Sequence, residues 1–428
     1  PVFVIGNPGT TERYRTTKQL EYDRDYRYNL QYEMFTNRIK LLEKEYAVTP
    51  SVDLKNEIFG LANSQKVFQG IYGGLKNPDL MARKKKMEDE IRKKTKLKGE
   101  DYWDELGKAV EGLKKHSAVV TLAGPGGMKG NIVNLLFALG KYEKTLDMPN
   151  NAAALDKIKQ GIKELAKGMD SEKEREYFAT YLMELQKYEH PENKFVEKIL
   201  DGKTPEARAE KILKKTDFTD AEKIEKILSK DPAKFKKFDD PILDAARIIV
   251  PKYNDAVTAF QSSTPRRKSL EAKIANAVFG VKGTNLPPDA TFTLRLSDGK
   301  VSSYKYNGTI APYKTTFYGL YDRYYSYNEQ APYALPSKWQ NPPVELLKTP
   351  MNFVSTNDII GGNSGSPIVN RNKEAVGLIF DGNIESLPGS FIYDETSNRA
   401  VCVHAGGMVA ALKYIYRAER LTNELLGK

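Results

Sequence analysis

The stretch that decides the fold reads Gly361-Gly362-Asn363-Ser364-Gly365-Ser366-Pro367. Small residues around Ser364 predict a tight turn that presents one hydroxyl and leaves the N–H groups of Gly362 and Ser364 free to point at one place. Acyl-transfer serine hydrolases need this arrangement, because amide donors must lie where the oxyanion forms. The sequence predicts Ser364 as a nucleophile and Gly362 as an oxyanion-hole amide. A Gly/Ser-rich hairpin loop without chemistry is the alternative.

The residues on both sides of this turn have the pattern of β-strands. Phe353-Val354-Ser355-Thr356 precedes it, and Ile368-Val369 and Ala375-Val376-Gly377-Leu378-Ile379-Phe380 follow it, separated by a polar turn. A serine between strands is typical of a β-barrel protease, whereas the nucleophile of an α/β-hydrolase lies between a strand and a helix. The flanks therefore favour a barrel.

Strand patterns extend from about residue 281 to Val403. Residues 291–296 alternate apolar and polar side chains, Ser297-Asp298-Gly299 predicts a hairpin turn, and residues 301–306 predict the returning strand. One closing helix is predicted to bury Met408, Leu412, Ile415, Leu421 and Leu425.

The first 280 residues have a helical pattern. In one helix Leu54, Ile58 and Leu61 recur at helical spacing, with a start signal at Pro50-Ser51 and a stop at Gly73-Gly74. The predicted helices are 16–47, 51–76, a lysine-rich stretch to Lys98, 101–115, 129–146, 152–169, 172–188, 191–200, 217–230, 232–238, 241–260 and 268–279. This region contains no chemistry motif of its own.

Composition limits the function classes. The 428 residues carry a formal charge of +11, but the lysines alternate with glutamates, as in residues 84–90, which is more typical of solvated helix faces than of a nucleic-acid site. The single cysteine, Cys402, excludes an intramolecular disulfide, and no Cys/His cluster has metal-ligand spacing. No apolar run is long enough to cross a membrane. We therefore predict no metal, no cofactor, no nucleic acid and no membrane partner.

Several segments resemble one family, the dipeptidyl peptidase 7/11 family of bacterial serine exopeptidases. In the C-terminal third these are Asp289-Ala290-Thr291-Phe292-Thr293-Leu294-Arg295-Leu296, Thr316-Phe317-Tyr318-Gly319-Leu320-Tyr321, Tyr333-Ala334-Leu335-Pro336, Ser355-Thr356-Asn357-Asp358-Ile359, the Ser364 turn and Phe380-Asp381-Gly382-Asn383. The opening Gly6-Asn7-Pro8-Gly9-Thr10-Thr11-Glu12-Arg13-Tyr14 resembles the family's Gly-x-Pro-Gly-x-Thr-x-Arg-Tyr. Asn63-Ser64-Gln65-Lys66-Val67-Phe68-Gln69-Gly70 resembles its Asn-x-x-Lys-x-x-x-Gly.

The resemblance implies an α+β fold with a large all-helical cap domain followed by a chymotrypsin-like β-barrel. Residues 1–14 would end an N-terminal β-barrel, residues 15–280 would form the cap, and residues 281–428 would form the C-terminal barrel with a C-terminal helix.

The resemblance also implies roles for individual residues. Ser364 matches the nucleophile, Asp381 matches the carboxylate that binds the substrate's α-ammonium, and Asn63 matches the amide that shares this task. Gly382 matches the position that sets the preference at the residue before the cut, where glycine accompanies apolar and arginine acidic side chains. A carboxylate and an amide oxygen suit a cation, at about 1.5–3 kcal/mol for each charge-assisted hydrogen bond. Taken alone, Asp381-Gly382 would be read as a turn and Asn63 as a solvent-exposed residue.

The histidines depart from the family pattern. A serine nucleophile needs a general base, and the chain has three histidines, His116, His190 and His404. The family's catalytic histidine and aspartate lie upstream of the Gly-x-Pro-Gly segment at which this chain starts. The expectation is that the chain is the C-terminal portion of a longer serine dipeptidyl peptidase, lacks most of the N-terminal barrel and is inactive alone, and that His404 does not substitute.

Two other functions stay open. A basic helical domain fused to a β-domain could bind a polyanion, and a short non-catalytic relative could bind peptide N-termini without cutting them. The partners expected of the enzyme are peptides with free N-termini. The resemblance implies a periplasmic or secreted protein and leaves a homodimer open.

Overall fold

The structure, a computed structural model, describes residues 1–95, 101–169, 172–283 and 286–428. It divides into two compact units. Unit 1 comprises Pro1–Arg15, Gly73–Glu90 and Val278–Lys428, and unit 2 comprises Thr16–Tyr72 and Ile91–Ala277. Because unit 2 is helical and unit 1 holds the sheet, the predicted α+β class is confirmed. The domain boundaries proposed from the sequence stay a prediction, but Gly73–Glu90 lies in unit 1 and not with the helical domain.

The first 282 residues consist mainly of helices. A π-helical segment at Arg24–Tyr28 joins two of the α-helices, and a second one at Val119–Ala123 forms the C-terminal end of another. The predicted helix to Lys98 ends at Lys94, and residues 96–100 lie outside the described part of the chain. The α-helices are α1 (Thr17–Asp23), α2 (Asn29–Val48), α3 (Val52–Lys76), α4 (Pro78–Lys94), α5 (Tyr102–Glu111), α6 (Lys114–Ala118), α7 (Gly130–Thr145), α8 (Ala152–Leu165), α9 (Glu172–Tyr188), α10 (Phe195–Leu200), α11 (Pro205–Lys215), α12 (Ala221–Leu228), α13 (Pro232–Lys236) and α14 (Pro241–Lys282).

Two helices differ from the sequence prediction. Helix α11 was not predicted, although Thr204 accepts a hydrogen bond from the Ala207 N–H as its N-cap and Pro205 occupies its first turn, a common helix start. Helix α14 is continuous, whereas two helices with a break between residues 260 and 268 were predicted. It contains both Pro251 and Pro265. Just before Pro265, the hydroxyls of Ser263 and Thr264 donate to the Phe260 carbonyl. The carbonyl that loses its backbone donor to the proline is that of Gln261, four residues earlier.

Unit 2 has one large apolar core. Phe178, Leu136, Ile162 and Ile249 are fully buried in a cluster that draws side chains from most of its helices. Burial of this apolar surface is the main term that stabilises the unit.

The strands of unit 1 form a seven-stranded antiparallel sheet in the order β2-β1-β7-β8-β9-β6-β5, and β3 and β4 form a separate hairpin. The strands are β1 (Val2–Gly6), β2 (Arg295–Gly299), β3 (Tyr304–Tyr306), β4 (Thr309–Ala311), β5 (Lys314–Thr316), β6 (Pro350–Ser355), β7 (Pro367–Val369), β8 (Ala375–Gly382) and β9 (Ala400–His404). The residues directly after β2 also bond to the end of β6. The Ser302 N–H donates to Val354 O at 3.3 Å, and the Thr356 N–H donates to Lys300 O at 2.9 Å. The first strand of the order is thus linked to the sixth.

The strand β1 differs from its predicted place. Residues 1–14 were expected to end an N-terminal barrel, but β1 pairs with β2 on one side and with β7 on the other. It is therefore an interior strand of the sheet that carries the Ser364 turn. Its alternating buried residues Val2 and Val4 belong to the sheet's core with Phe353, Ile368 and Ile379.

The predicted hairpin turn at Ser297-Asp298-Gly299 is wrong. These residues lie inside β2, opposite Val2, Phe3 and Val4 of β1. The hairpin follows later, at Asn307-Gly308 between β3 and β4, where both residues have positive φ, 45° and 75°. A type I′ turn needs positive φ at both central residues, and Asn307-Gly308 meets this need. Asp298-Gly299 has the same local signal, but its pairing with β1 extends it as strand.

Four helices complete unit 1: α15 (Phe317–Ser326), α16 (Val344–Leu347), α17 (Ala405–Tyr414) and α18 (Glu419–Leu425). Helix α15 lies where strand patterns were predicted. The single closing helix is in fact two, because Arg417 between them has φ 52°. Leu421 and Leu425 are 39% and 60% exposed and are not buried as predicted, whereas Met408, Leu412 and Ile415 are half-buried.

Candidate active site

Ser364 lies in an exposed turn, residues 361–366, between β6 and β7. Its own side chain is exposed, whereas Asn363 and Ser366 on either side are buried. The Asn363 side chain donates to the Ile360 carbonyl at 3.0 Å, which fixes the start of the turn. The predicted presentation of a single hydroxyl by a tight turn agrees with this geometry.

Backbone hydrogen bonds hold the Ser364 turn. The N–H of Asn363 donates to Ile360 O at 3.1 Å, that of Gly365 to Ile379 O at 2.7 Å and that of Ser366 to Asn363 O at 2.8 Å. Within the described ranges, the N–H groups of Gly362 and Ser364 have no hydrogen-bond acceptor. These are the two donors that the sequence pointed to, and such a pair suits an oxyanion.

Glycine is required at position 362 for two independent reasons. Its φ is 105°, which L-residues rarely adopt. A Cβ atom there would also lie 2.5 Å from Asn7 O and 2.8 Å from Gly9 N. The first turn of the nucleophile loop is thus packed against the segment that follows β1.

Asp381 and Gly382 lie at the end of β8 that adjoins the Ser364 turn. Ile379 lies two residues before Asp381. Its carbonyl accepts the Gly365 N–H, and its own N–H donates to Ser366 O. Two strand residues span about 6.6 Å, so the sheet brings Asp381 near the nucleophile loop. Asp381 is half-buried, and one of its carboxylate oxygens accepts the Gly382 N–H at 2.8 Å.

The surroundings of Gly382 include a residue that sequence reasoning missed. A Cβ atom at position 382 would lie 2.4 Å from the Ser386 hydroxyl oxygen. That hydroxyl donates to Asn383 O at 2.7 Å, and Ser386 is buried. Ser386 therefore restricts the space at the predicted specificity position, and no sequence motif signals it.

Asn63 lies on α3 in unit 2, and its side chain is exposed. This is the solvent-exposed position that the helical pattern indicated. Its role with Asp381 stays a prediction from the family resemblance.

Arg13 anchors the chain leading into the Ser364 turn, a role that the motif alone did not indicate. Its guanidinium forms a bidentate pair with Asp358 at 2.6 and 2.8 Å and also donates to Gly389 O. Bidentate pairing fixes both distance and orientation. Arg13 thereby connects the segment after β1 to Asp358, which lies six positions before Ser364.

His404 is poorly placed to act as the base for Ser364. It ends β9 opposite Gly377, which lies at the far end of β8 from Asp381. Its Nδ1 accepts the Gly406 N–H at 3.0 Å and so caps α17, and its ring packs against Phe353. Burial, and then the charge of Lys314, lower the pKa of His404. His116 and His190 belong to unit 2.

Several lysines of the helical region pair with acidic residues. Lys108 contacts Glu105 at 2.8 Å, and Lys167 contacts Glu164 at 2.7 Å. The two residues of each pair are three positions apart in the sequence. Such pairs are typical of solvated helix surfaces. Over the described residues, no three metal-ligating side chains cluster, and no helix is both long and apolar enough to cross a membrane.

The sheet, the exposed serine and its two unpaired amide donors are features of a peptidase. The family model for peptidase S46 matches residues 1–427, and the chain belongs to that family. The resemblance seen in the sequence is thereby confirmed.

Two curated relatives illustrate the similarity. An Asp/Glu-specific dipeptidyl-peptidase of Shewanella putrefaciens is 25% identical over 481 residues, covering 99% of this chain and 64% of the relative. A dipeptidyl-peptidase 7 of Capnocytophaga gingivalis is 29% identical over 238 residues, covering 51% of this chain and 32% of the relative. The chain thus spans about two thirds or less of the length of the relatives that it matches.

The fold is shared with a solved structure. Porphyromonas endodontalis DPP11 matches with a TM-score of 0.75 at 21% identity, covering 99% of this chain and 64% of that chain. Complexes of the same DPP11 with the dipeptides Arg-Glu and Arg-Asp also match, with TM-scores of 0.73.

Proposed function

We propose that the protein is a serine-type dipeptidyl aminopeptidase that releases dipeptides from free peptide N-termini. The observation that carries the proposal is the exposed Ser364 between two N–H groups without acceptors, in a chain of a peptidase family. A polyanion-binding function is not favoured, since lysines of the helical region pair with neighbouring acids.

In this proposal the Ser364 hydroxyl oxygen attacks the carbonyl carbon of the second peptide bond. A base takes the hydroxyl proton, and the N–H groups of Gly362 and Ser364 stabilise the oxyanion. The base then gives the proton to the leaving amine, and an acyl-enzyme on Ser364 remains. Water, activated by the same base, attacks the ester and frees the dipeptide.

Asp381 and Asn63 are proposed to bind the substrate's α-ammonium. A carboxylate and an amide oxygen favour a cation, and a blocked N-terminus offers none. Because the amine would be held at a fixed distance from Ser364, two residues would separate it from the cut.

Gly382 is proposed to favour an apolar residue before the cut. It brings no charge into the pocket, so a carboxylate there would lose water without gaining a partner. The buried Ser386 beside it supplies a hydroxyl that already donates to Asn383 O. The relatives' names include both Asp/Glu-specific enzymes and dipeptidyl-peptidase 7, and position 382 is proposed to set the preference of this chain.

The general base is proposed to lie outside these 428 residues, so that the chain alone is inactive. The engagement of His404 with Gly406 and its position opposite Gly377 support this. We also propose that the sheet of unit 1 is a chymotrypsin-like barrel, supported by the bonds between residues 300–302 and 354–356. Unit 2 corresponds to the family's helical domain, and the protein is periplasmic or secreted.

The test compares wild type with Ser364→Ala in the longest form of the protein that its gene encodes. A serine-directed phosphonate should label the wild type at Ser364, and the variant should lose on the order of 10⁴–10⁶-fold in kcat. Labelling of the 428-residue chain alone at the same rate would contradict an external base.

A second arm uses chromogenic Xaa-Leu amides with and without N-terminal acetylation. Acetylation should abolish cleavage, because it removes the ammonium. Equal cleavage of blocked and free substrates would overturn the exopeptidase proposal even if Ser364 is the nucleophile.

A further inference from the structure

The two unpaired donors of the Ser364 turn are oriented by two different hydrogen bonds. In a trans peptide the C=O and the following N–H point in opposite directions. A contact that holds the carbonyl of one residue therefore also aims the N–H of the next residue. This applies to Gly361 O with the Gly362 N–H, and to Asn363 O with the Ser364 N–H.

The Ser364 N–H is oriented from within the turn. Asn363 O accepts the Ser366 N–H at 2.8 Å, only three residues away. Any sequence that forms this turn would aim this donor in the same way.

The Gly362 N–H is oriented from far away in the sequence. Gly361 O accepts the Gly9 N–H at 2.7 Å. Gly9 belongs to the segment 7–9 directly after β1, and all of these residues lie in unit 1. Within the described part of the chain, no residue of the turn donates a backbone hydrogen bond to Gly361 O.

The segment around Gly9 is itself fixed. The Phe292 N–H donates to both Pro8 O at 2.9 Å and Gly9 O at 2.8 Å, and Thr10 forms a bridge with Thr291. Phe292 has φ 62°, an uncommon conformation for an aromatic residue, which the surroundings must hold. Gly9 is thus held on one side by Phe292 and holds Gly361 on the other.

The contact leaves no room for side chains. A Cβ atom on Gly9 would lie 2.6 Å from Gly361 O, and one on Gly6 would lie 2.2 Å from the Ser366 hydroxyl oxygen. The φ of Gly9 lies outside the left-handed region. Its glycine is therefore explained by the approach to the Gly361–Gly362 peptide and not by its own backbone conformation.

We propose that Gly9 is a positioning residue, which keeps the Gly362 N–H aimed at the oxyanion by holding the Gly361 carbonyl on the opposite side. If this peptide rotated, a carbonyl oxygen would replace an amide donor in the hole. The inference rests on the proposed peptidase function. In that function Gly9 keeps both amide donors of the oxyanion hole in place before the substrate binds.

The kinetic test is Gly9→Ala in the longest form of the protein, with Gly319→Ala as the matched control, since a Cβ atom at 319 meets nothing within 4 Å. Gly9→Ala should lower kcat by about 10²–10³-fold, the effect of losing one oxyanion donor. KM, and the affinity for a product dipeptide, should change little, because ground-state binding does not use the hole. A Gly9→Ala enzyme with wild-type kcat would overturn the proposal, as would a loss confined to KM.

A second measurement needs no variant, and its comparison in the free protein needs no activity. In the ¹⁵N-glycine-labelled wild type, amide exchange should be slow at Gly9 and fast at Gly362, and phosphonate labelling of Ser364 should slow Gly362. Fast exchange at Gly9, or slow exchange at Gly362 in the free protein, would overturn the proposed orientation. A wild type that neither cleaves nor labels would instead refute the peptidase function, while the Gly9 exchange rate still decides whether the hydrogen bond exists.

Discussion

Unit 2 is held by side chains that meet in one large apolar cluster, whereas the Ser364 turn of unit 1 is held by backbone hydrogen bonds and close glycine contacts. The sheet beneath that turn has a much smaller core, built around Val4, Phe353, Ile368 and Ile379. In unit 2, therefore, the volume of a side chain should determine stability. Around Ser364, the close backbone contacts that glycines permit should determine catalytic activity. The predictions below test this difference.

The largest effect is expected from Phe178→Ala in unit 2. Phe178 is fully buried in the apolar cluster, and truncation of such a residue costs about 3–5 kcal/mol of unfolding free energy. Urea denaturation measures the change, with Phe59→Ala as the matched control because Phe59 is 61% exposed. Activity per folded molecule should not change with Phe178→Ala. Equal destabilisation by both variants would contradict the expectation that buried side-chain volume determines the stability of unit 2.

The next effect concerns specificity at Gly382. Arginine at this position should favour Asp or Glu before the cut through bidentate pairing and should weaken apolar substrates. We expect a swing of about 2–4 kcal/mol in relative kcat/KM between Xaa-Glu and Xaa-Leu amides.

The structure sharpens the design of this variant. A Cβ atom at 382 would meet the Ser386 hydroxyl at 2.4 Å, whereas the Ser386 Cβ would be 3.6 Å away. The test is therefore Gly382→Arg combined with Ser386→Ala, and Ser386→Ala alone is the control. If the double variant still prefers leucine as strongly as the control does, Gly382 does not set the preference.

The sequence predicted what depends on local pattern. The Ser364 turn, its flanking strands and most helices follow from small residues, alternation and helical spacing within short windows. Helix α11 also had a local signal, Thr204-Pro205, which went unused.

Long-range contacts were not predictable in this way. Nothing in the Val2–Gly6 stretch shows that it pairs between β2 and β7, because the partners lie about 290 to 370 positions away in the chain. The contact of Gly9 with Gly361, 352 positions apart, is likewise tertiary, whereas that of Gly382 with Ser386 is local but depends on the turn after β8. A glycine required by a distant atom looks, in the sequence, like a glycine required by a turn.

A smaller effect is expected from Asn63→Ala in unit 2. Loss of one hydrogen bond to an ammonium should cost about 1.5–3 kcal/mol of transition-state binding free energy. The cost should be measured as a lower kcat/KM for free-amine substrates. Asn56→Ala is the control, since Asn56 is exposed on the same helix. The two variants should be equally stable, because both side chains are exposed. Identical kinetics of the two variants would exclude Asn63 from substrate binding.

The smallest effect is a pH dependence that the two units should share, because each contains a lysine whose ammonium is largely shielded from water. The ammonium of Lys84 in unit 1 donates to Arg13 O, and that of Lys129 in unit 2 donates to Thr121 O and Gly124 O. Burial lowers the pKa of each to about 8, against the opposing charges of Asp289 and Glu184 respectively.

Between about pH 8 and 10.5 the unfolded chain binds more protons at these lysines than the folded protein does, so stability should rise with pH there. The slope is up to about 1.4 kcal/mol per pH unit for each lysine. Two kinds of group act in the opposite direction. The buried Cys402 thiol, with its pKa raised to about 12, does so above about pH 9, and buried tyrosines such as Tyr321, with its pKa also raised to about 12, do so above about pH 10. The comparison is therefore made between pH 8 and 9.5, where the two lysines outweigh the one thiol.

Urea denaturation over this range should show a rising unfolding free energy in the wild type. Lys84→Met and Lys129→Met should each remove one lysine's share of the rise, and the exposed Lys86→Met should remove none. If the units unfold separately, each variant should flatten only its own unit's transition; if they unfold together, each should lower the common slope. If the slope of unfolding free energy against pH stays unchanged in both Lys84→Met and Lys129→Met, burial does not lower the pKa of either lysine. The pH dependence predicted for the two units would then be wrong.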